Sequence, residues 1–191
     1  MRMKPGELDH LNTELTDGRL RLRPWQQEDA TRLVEAVEES VDSVGRWLPW
    51  CRAGYDLVRA LDWVAFCQTG WVSGAHFAFP IFDVVSGQLM GAAGLSQHDP
   101  LHRSANLGYW VRESCQRRGV ATAAARLVAR FGFEQLGLFR IEIVIQPDNT
   151  ASLAVADRTG AEFEAIARQR LCVEGKPRDA AVYGWIPQDL G

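Results

Sequence analysis

Long hydrophobic runs are missing from this chain: no stretch of about 18 apolar residues exists to cross a membrane. The start, residues 1–15, carries basic side chains but no apolar signal core. Cysteine is scarce. Cys51, Cys67, Cys115 and Cys172 lie far apart, without the paired spacing of a zinc ribbon or a redox motif. That pattern predicts reduced thiols in a cytoplasmic protein, no metal site, and a buried Cys115 in place of a nucleophile. Charge of one sign is missing too: 21 Lys+Arg against 24 Asp+Glu leave a net −3. Nucleic-acid binding needs a clustered basic surface, so it is excluded. Neither a triple-glycine dinucleotide fingerprint nor a Gly-Lys-Ser/Thr phosphate loop occurs. Internal repeats and low-complexity linkers are absent, so the 191 residues are read as one domain.

Alternating and helical apolar patterns account for the 47% hydrophobic content. Residues 1–16 are polar and expected to be loosely ordered, 1–13 most of all, with a folded core over about 14–188. Leu20 and Leu22 alternate with arginines in a first strand that Pro24 closes. Residues 28–40 follow as a helix with Ala30, Leu33, Val34 and Val37 inward, and 55–71 as a second with Leu57, Leu61, Val64 and Phe66 along one side. Two strands, 75–84 and 88–97, form a hairpin, where Pro80 calls for an edge or a bulge, and 104–112 is a third. The helix 119–136 turns Val120, Ala124, Leu127, Val128 and Phe131 inward and stops at Gly137. Phe139, Ile141, Ile143 and Ile145 share one face of the next strand. A short helix runs from its N-cap Asn149 to Gly160, and a hairpin over 161–187 closes the chain. The order β-α-α-β-β-β-α-β-α-β-β gives a mixed α/β sheet, mostly antiparallel, with one central β-α-β crossover.

One junction stands out. The strand ending at Arg112 hands over to a helix through Gln116, Arg117, Arg118 and Gly119. A helix N-terminus offers unpaired N–H groups and a partial positive charge, and glycine lets a ligand come close. The amides of Arg117 to Thr122 are therefore a candidate diphosphate cradle. An ordinary helix start with surface arginines fits the same residues, and both readings stay open here.

The run 106–164 resembles the core of the GNAT superfamily of acetyl-CoA-dependent N-acetyltransferases, its RimJ/RimL-like ribosomal-protein branch above all. Gln116-Arg117-Arg118-Gly119-Val120-Ala121 matches the family signature Gln/Arg-x-x-Gly-x-Gly/Ala, and Asn149-Thr150-Ala151-Ser152 matches its Asn-x-x-Ser. The opening around Leu20, Trp47-Leu48-Pro49-Trp50, Leu107-Gly108-Tyr109-Trp110-Val111 and the closing Glu174-Gly175-Lys176-Pro177 fall in the family's order. The resemblance covers about 14–188 and implies a seven-stranded, mostly antiparallel sheet flanked by helices, whose central strands splay. It implies acetyl-CoA as co-substrate, its pantetheine beside Tyr109, Trp110 and Val111 and its pyrophosphate on Gln116, Arg117, Arg118, Gly119, Val120, Ala121 and Thr122. Homodimers are common in the family.

The implied reaction is direct attack of an amine on the thioester, with a backbone N–H near Val111 as oxyanion donor. The tyrosine that many members place seven residues after the asparagine is Ala156 here, leaving Ser152 to protonate the departing sulfur. Asn149 would reach the pantetheine or acetyl region, or serve only as a cap. For the base, Glu38, Glu39, His76, His98 and His102 all stay open, because Asn106 holds a place that is often acidic in this branch. Trp47, Trp50 and Trp71 are candidate walls for the acceptor, a protein or peptide α-amino group or a small amine.

Overall fold

The structure, a computed structural model, describes residues 12–190. Among them lie eight strands: β1 (Leu15–Thr16), β2 (Leu20–Leu22), β3 (Phe77–Asp83), β4 (Leu89–Asp99), β5 (Ser104–Val111), β6 (Arg140–Ile145), β7 (Glu162–Val173) and β8 (Lys176–Trp185). Four α-helices accompany them: α1 (Ala30–Glu39), α2 (Leu57–Ser73), α3 (Val120–Glu134) and α4 (Thr150–Thr159). The strands form one sheet in the order β1-β2-β3-β4-β5-β6-β8-β7, antiparallel everywhere except at β5–β6. That parallel pair is the expected crossover through α3.

The strand beyond the expected seven is β1, drawn from residues taken as loose. Leu15 is buried, Thr16 Oγ1 donates to the Leu20 carbonyl at 2.7 Å, and Asp17 accepts from the amides of Arg19 and Leu20. These bonds fold the segment back on β2. Except for Asn12 and Thr13, the looseness expected of 1–13 concerns residues outside those described.

Strand alternation divides the interior in two. Phe77, Phe79, Ile81, Leu95, Leu107, Ile141, Ile143 and Ile145 face α3, meeting Val120, Ala124, Val128 and Phe131 in the larger core. Ala78, Ala92, Phe82, Leu89 and Trp110 face α1 and α2. Burying a Leu, Ile or Phe side chain contributes about 1.5–3 kcal/mol, so these two layers dominate the stabilisation.

Two expectations about packing need correction, and the edge or bulge expected at Pro80 is found. The inner face of α2 is Ala60, Val64 and Cys67, whereas Leu57 and Phe66 are 48% and 56% exposed. Apart from Trp71, the buried side chains of α2 are small or medium-sized, which brings the helix close to the sheet. Phe139 is exposed, because it precedes β6 and stacks under the Arg103 guanidinium, 3.6 Å from its ring centre. Pro80 lies in an interior strand, yet β2 ends at the pair Leu22–Ile81, so nothing needs its missing N–H. The register of β3 on β4 also shifts between Ile81 and Phe82.

Before α1, the fully buried Asp29 receives both arms of Arg23, at 2.7 and 2.8 Å, and the Gln26 amide at 2.9 Å. Removing one partner of a buried ion pair leaves the other charge uncompensated. Asp29→Ala is expected to lose about 3–5 kcal/mol of stability by urea denaturation, and the double change Arg23→Met with Asp29→Leu much less. An Asp29→Ala midpoint equal to the parent's would show the pair to be unimportant.

Candidate functional site

The site begins where the sheet opens. Pairing of β5 with β6 stops after Ser104–Arg140, Ala105–Ile141 and Asn106–Glu142. Beyond that row, Ile143 to Ile145 pair only with β8, and Leu107 to Val111 only with β4. The Arg112 amide donates to the Met90 carbonyl at 2.8 Å, on the register that pairs Val111 with Gly91. Antiparallel ladders alternate bonded and unbonded rows, so Gly108 and Trp110 direct their backbone groups at β4. Leu107, Tyr109 and Val111 direct theirs into the gap, as an added strand would require.

At the end of β5 the chain makes a turn rich in free donors. Arg117 has φ 60 and Gly119 φ 73, both left-handed. Successive amides then converge on one concavity, a geometry that holds anions. The first helix-closing bond runs from the Ala123 amide to the Gly119 carbonyl at 3.0 Å. No amide of residues 117–122 donates within the described residues. Side chains brace the turn: Arg19 donates to the Arg118 carbonyl at 2.9 Å, and Gln116 Nε2 to the Val111 carbonyl at 3.1 Å.

Glu39, at the end of α1, clamps the turn from the other side. It accepts from Arg112 Nε at 2.6 Å and from the Ser114 amide at 2.8 Å, while Ser40 Oγ accepts from the Glu113 amide at 3.1 Å. Burial pushes the Glu39 pKa up, but the bonds from Ser114 and Arg112 outweigh it and hold the carboxyl below its usual range. A carboxyl with a lowered folded value stabilises the fold above its unfolded value and loses that contribution as pH falls through the folded one. Glu39→Gln is therefore expected to lower stability by about 1 kcal/mol at neutral pH. The difference should shrink as pH falls below 4.5, the ordinary value, and vanish only below the lowered folded one. Parallel stability–pH curves for the two proteins would refute it.

Across the gap, α4 presents Asn149 and Ser152. Asn149 Oδ1 accepts from the Ser152 amide at 3.1 Å, as an N-cap does. Tyr109 Oη lies 2.9 Å from Ser152 Oγ and donates to the Ser152 carbonyl at 3.1 Å. Burial pushes the Tyr109 phenol up to about 12, so it stays protonated, a donor, at neutral pH. Sequence reasoning placed Tyr109 here for its backbone and missed its hydroxyl. Alternation gave the signal: Tyr109 shares its face with Leu107, towards α3 and α4.

The gap opens into a groove of about 1730 Å³, lined by Gln116, Arg117, Gly119, Val120, Ala121, Thr122, Tyr109, Trp110, Val111, Asn149 and Ser152. Arg118 is exposed and does not line it. On the α1/α2 side, Trp47 and Trp50 line the groove, and Trp50 sits edge-on to Trp110 with ring centres 5.5 Å apart. Trp71 does not: it is 1% exposed, donates to the Ala78 carbonyl at 3.2 Å and packs on Phe77 and Phe79. Trp63 and Phe66 of α2 take its place as walls. Of the five base candidates only His76 lines the groove. Its ring stacks on Phe66 at 4.3 Å, burial lowers its pKa, and Nε2 is buried without a partner. Glu39 is held by Arg112 and Ser114, His98 Nδ1 lies 2.8 Å from the Gly74 carbonyl, and His102 pairs with Asp99 at the surface. Cys115 is buried, as expected, and Cys172 is exposed at the groove's edge. No cluster of metal-ligating side chains occurs among the described residues, and none of their helices is long and apolar enough to cross a membrane.

Comparison with known proteins gives three kinds of match. The family profile described as "Acetyltransferase (GNAT) domain" matches residues 19–162. YdaF of Bacillus subtilis (strain 168), which carries a provisional ribosomal N-acetyltransferase name, is 30% identical over 173 residues, 88% of this chain and 91% of its own. The spermidine N(1)-acetyltransferase of Escherichia coli (strain K12) is 24% identical over 161 residues, 84% of this chain and 82% of its own. Mycobacterium smegmatis RimJ, solved in complex with CoA-disulfide, superposes with a TM-score of 0.80 at 26% identity, over 93% of this chain and 88% of that one.

Proposed function

The chain belongs to the GNAT acetyltransferase family, and from that premise we propose that it acetylates the α-amino group of a peptide or protein N-terminus, with acetyl-CoA as donor. The observation that carries this reading is the opening of the sheet after Asn106, bounded by the donor-rich turn at 117–122 and by Ser152. The amides of that turn hold the diphosphate, with Arg117 adding charge. The freed backbone groups of Tyr109 pair with the pantetheine arm, which leaves the Val111 amide for the acyl oxygen.

Catalysis then rests on placement and on hydrogen bonds to developing charge. The Val111 amide donates to the carbonyl oxygen of the thioester as the amine attacks. With its one proton turned from the Ser152 carbonyl to Ser152 Oγ, Tyr109 leaves the Ser152 hydroxyl proton for the sulfur as the C–S bond breaks. Asn149 holds the first turn of α4, and with it Ser152, in place. The neutral His76 imidazole is the group in the groove suited to accept the amine's proton.

Charge favours a peptide over a polyamine. Asp62 is the one carboxylate lining the groove among the described residues, against Arg59, Arg117 and Arg158. A polyamine keeps further ammonium groups after the first is acetylated, and these need more carboxylates than Asp62 alone, beside three arginines. A peptide N-terminus brings one amine and a neutral backbone. The spermidine acetyltransferase relative makes the alternative concrete, so the test sets the two side by side. Incubation with acetyl-CoA and either free-amine tetrapeptides or spermidine is read by release of free thiol. Faster release with spermidine would overturn the peptide reading, and silence with every amine would overturn transfer itself.

A further inference from the structure

Gly108 has no explanation within the free protein. It sits inside β5, paired with Gly94, and its φ is not in the left-handed region. A Cβ built on it meets nothing within 4 Å, so packing does not require glycine either. Glycine inside a strand weakens the strand and often marks a close approach by a ligand or another backbone. Gly108 is exposed and lines the groove.

Its surroundings identify the face. Asn106, Gly108 and Trp110 alternate onto the α1/α2 side of the sheet, while Tyr109 points to Ser152 on the other. The row Ala78–Gly94–Gly108 crosses three strands with a single methyl between them, forming a bare strip. Trp110 stands on one side of this strip and Asn106 on the other, with Trp63 and Phe66 of α2 among the walls. Asn106 Oδ1 is buried and has no hydrogen-bond partner. A buried acceptor left unpaired costs free energy until a donor arrives.

We propose that this strip is the acceptor seat: the chain bearing the amine lies over Gly94 and Gly108, and an N–H of that chain donates to Asn106 Oδ1. The seat rests on the acetyl-transfer reading above and adds to it a division of the sheet. The donor's arm uses the backbone edge of β5, and the acceptor uses its glycine face. A bare floor suits an extended, unbranched backbone, because any side chain at 108 would lift it away from the Asn106 oxygen.

Kinetics of the parent, Gly108→Ala, Gly108→Val and Asn106→Leu test this, with a free-amine tetrapeptide and with spermidine. The acceptor KM is expected to rise by about tenfold in Gly108→Val, less in Gly108→Ala, and several-fold in Asn106→Leu. The CoA Kd by calorimetry should stay within about twofold, and the thermal midpoint of Gly108→Val should equal or exceed the parent's. An unchanged acceptor KM in Gly108→Val overturns the seat, as does a weakened CoA Kd or a lowered midpoint. If spermidine alone turns over, the peptide reading fails while the Gly108 series still tests the seat with spermidine. If neither turns over, quenching of groove tryptophan emission by the peptide in excess CoA reads the same seat. Equal quenching in parent and Gly108→Val, or none in either, overturns it.

Discussion

Ser152→Ala is expected to lower kcat about 100-fold, the usual scale for losing a positioned general acid. The CoA Kd should change little, because the turn at 117–122 holds the diphosphate without this hydroxyl. Ser152 Oγ is 2.9 Å from Tyr109 Oη and its amide is capped by Asn149, so the substitution removes a proton donor while its backbone anchors remain. Tyr109→Phe is a second reading of the same arrangement. It removes the donor that orients Ser152 and should lower kcat less than Ser152→Ala does. A kcat for Ser152→Ala equal to the parent's would dismiss the serine, and a larger loss in Tyr109→Phe would hand its role to the phenol.

Gly119→Val should weaken CoA binding by about 5- to 150-fold, the equivalent of the roughly 1–3 kcal/mol that a non-glycine residue stores in such a backbone. Gly119 has φ 73, so the cost is conformational: a Cβ there meets nothing within 4 Å. Without ligand the turn can relax, since its amides make no internal bonds, and the fold loses little. With ligand bound the amides must converge, and the strain returns as lost affinity. Arg117→Ala should have a smaller effect, because an exposed charge contributes modestly beside a set of oriented amides. Calorimetric titration with CoA measures both, and equal negligible effects would contradict the turn geometry.

Much of this was written locally. The helix start at Gly119, the Asn149 cap and the strand alternation through Ile141, Ile143 and Ile145 follow from short-range sterics and hydrogen bonds. Misplaced side chains share a different cause. Phe66 and Trp71 lie on one helix and are both large and aromatic, yet one walls the groove and the other is core. Helical spacing alone did not show which arc of α2 would meet the sheet. Tyr109 Oη and Ser152 Oγ are 43 residues apart, and no sequence pattern relates two hydroxyls at that distance.

The sequence by itself determined the elements from β2 onward, their order, the glycine at the turn and the family. These depend on backbone preferences and apolar periods that act over a few residues. Only the tertiary structure decided where β5 and β6 part, that Glu39 grips the turn when it was open as a base, and that Gly108 faces an empty strip. Those outcomes depend on strand register and helix docking, which are set by contacts among residues remote in the chain.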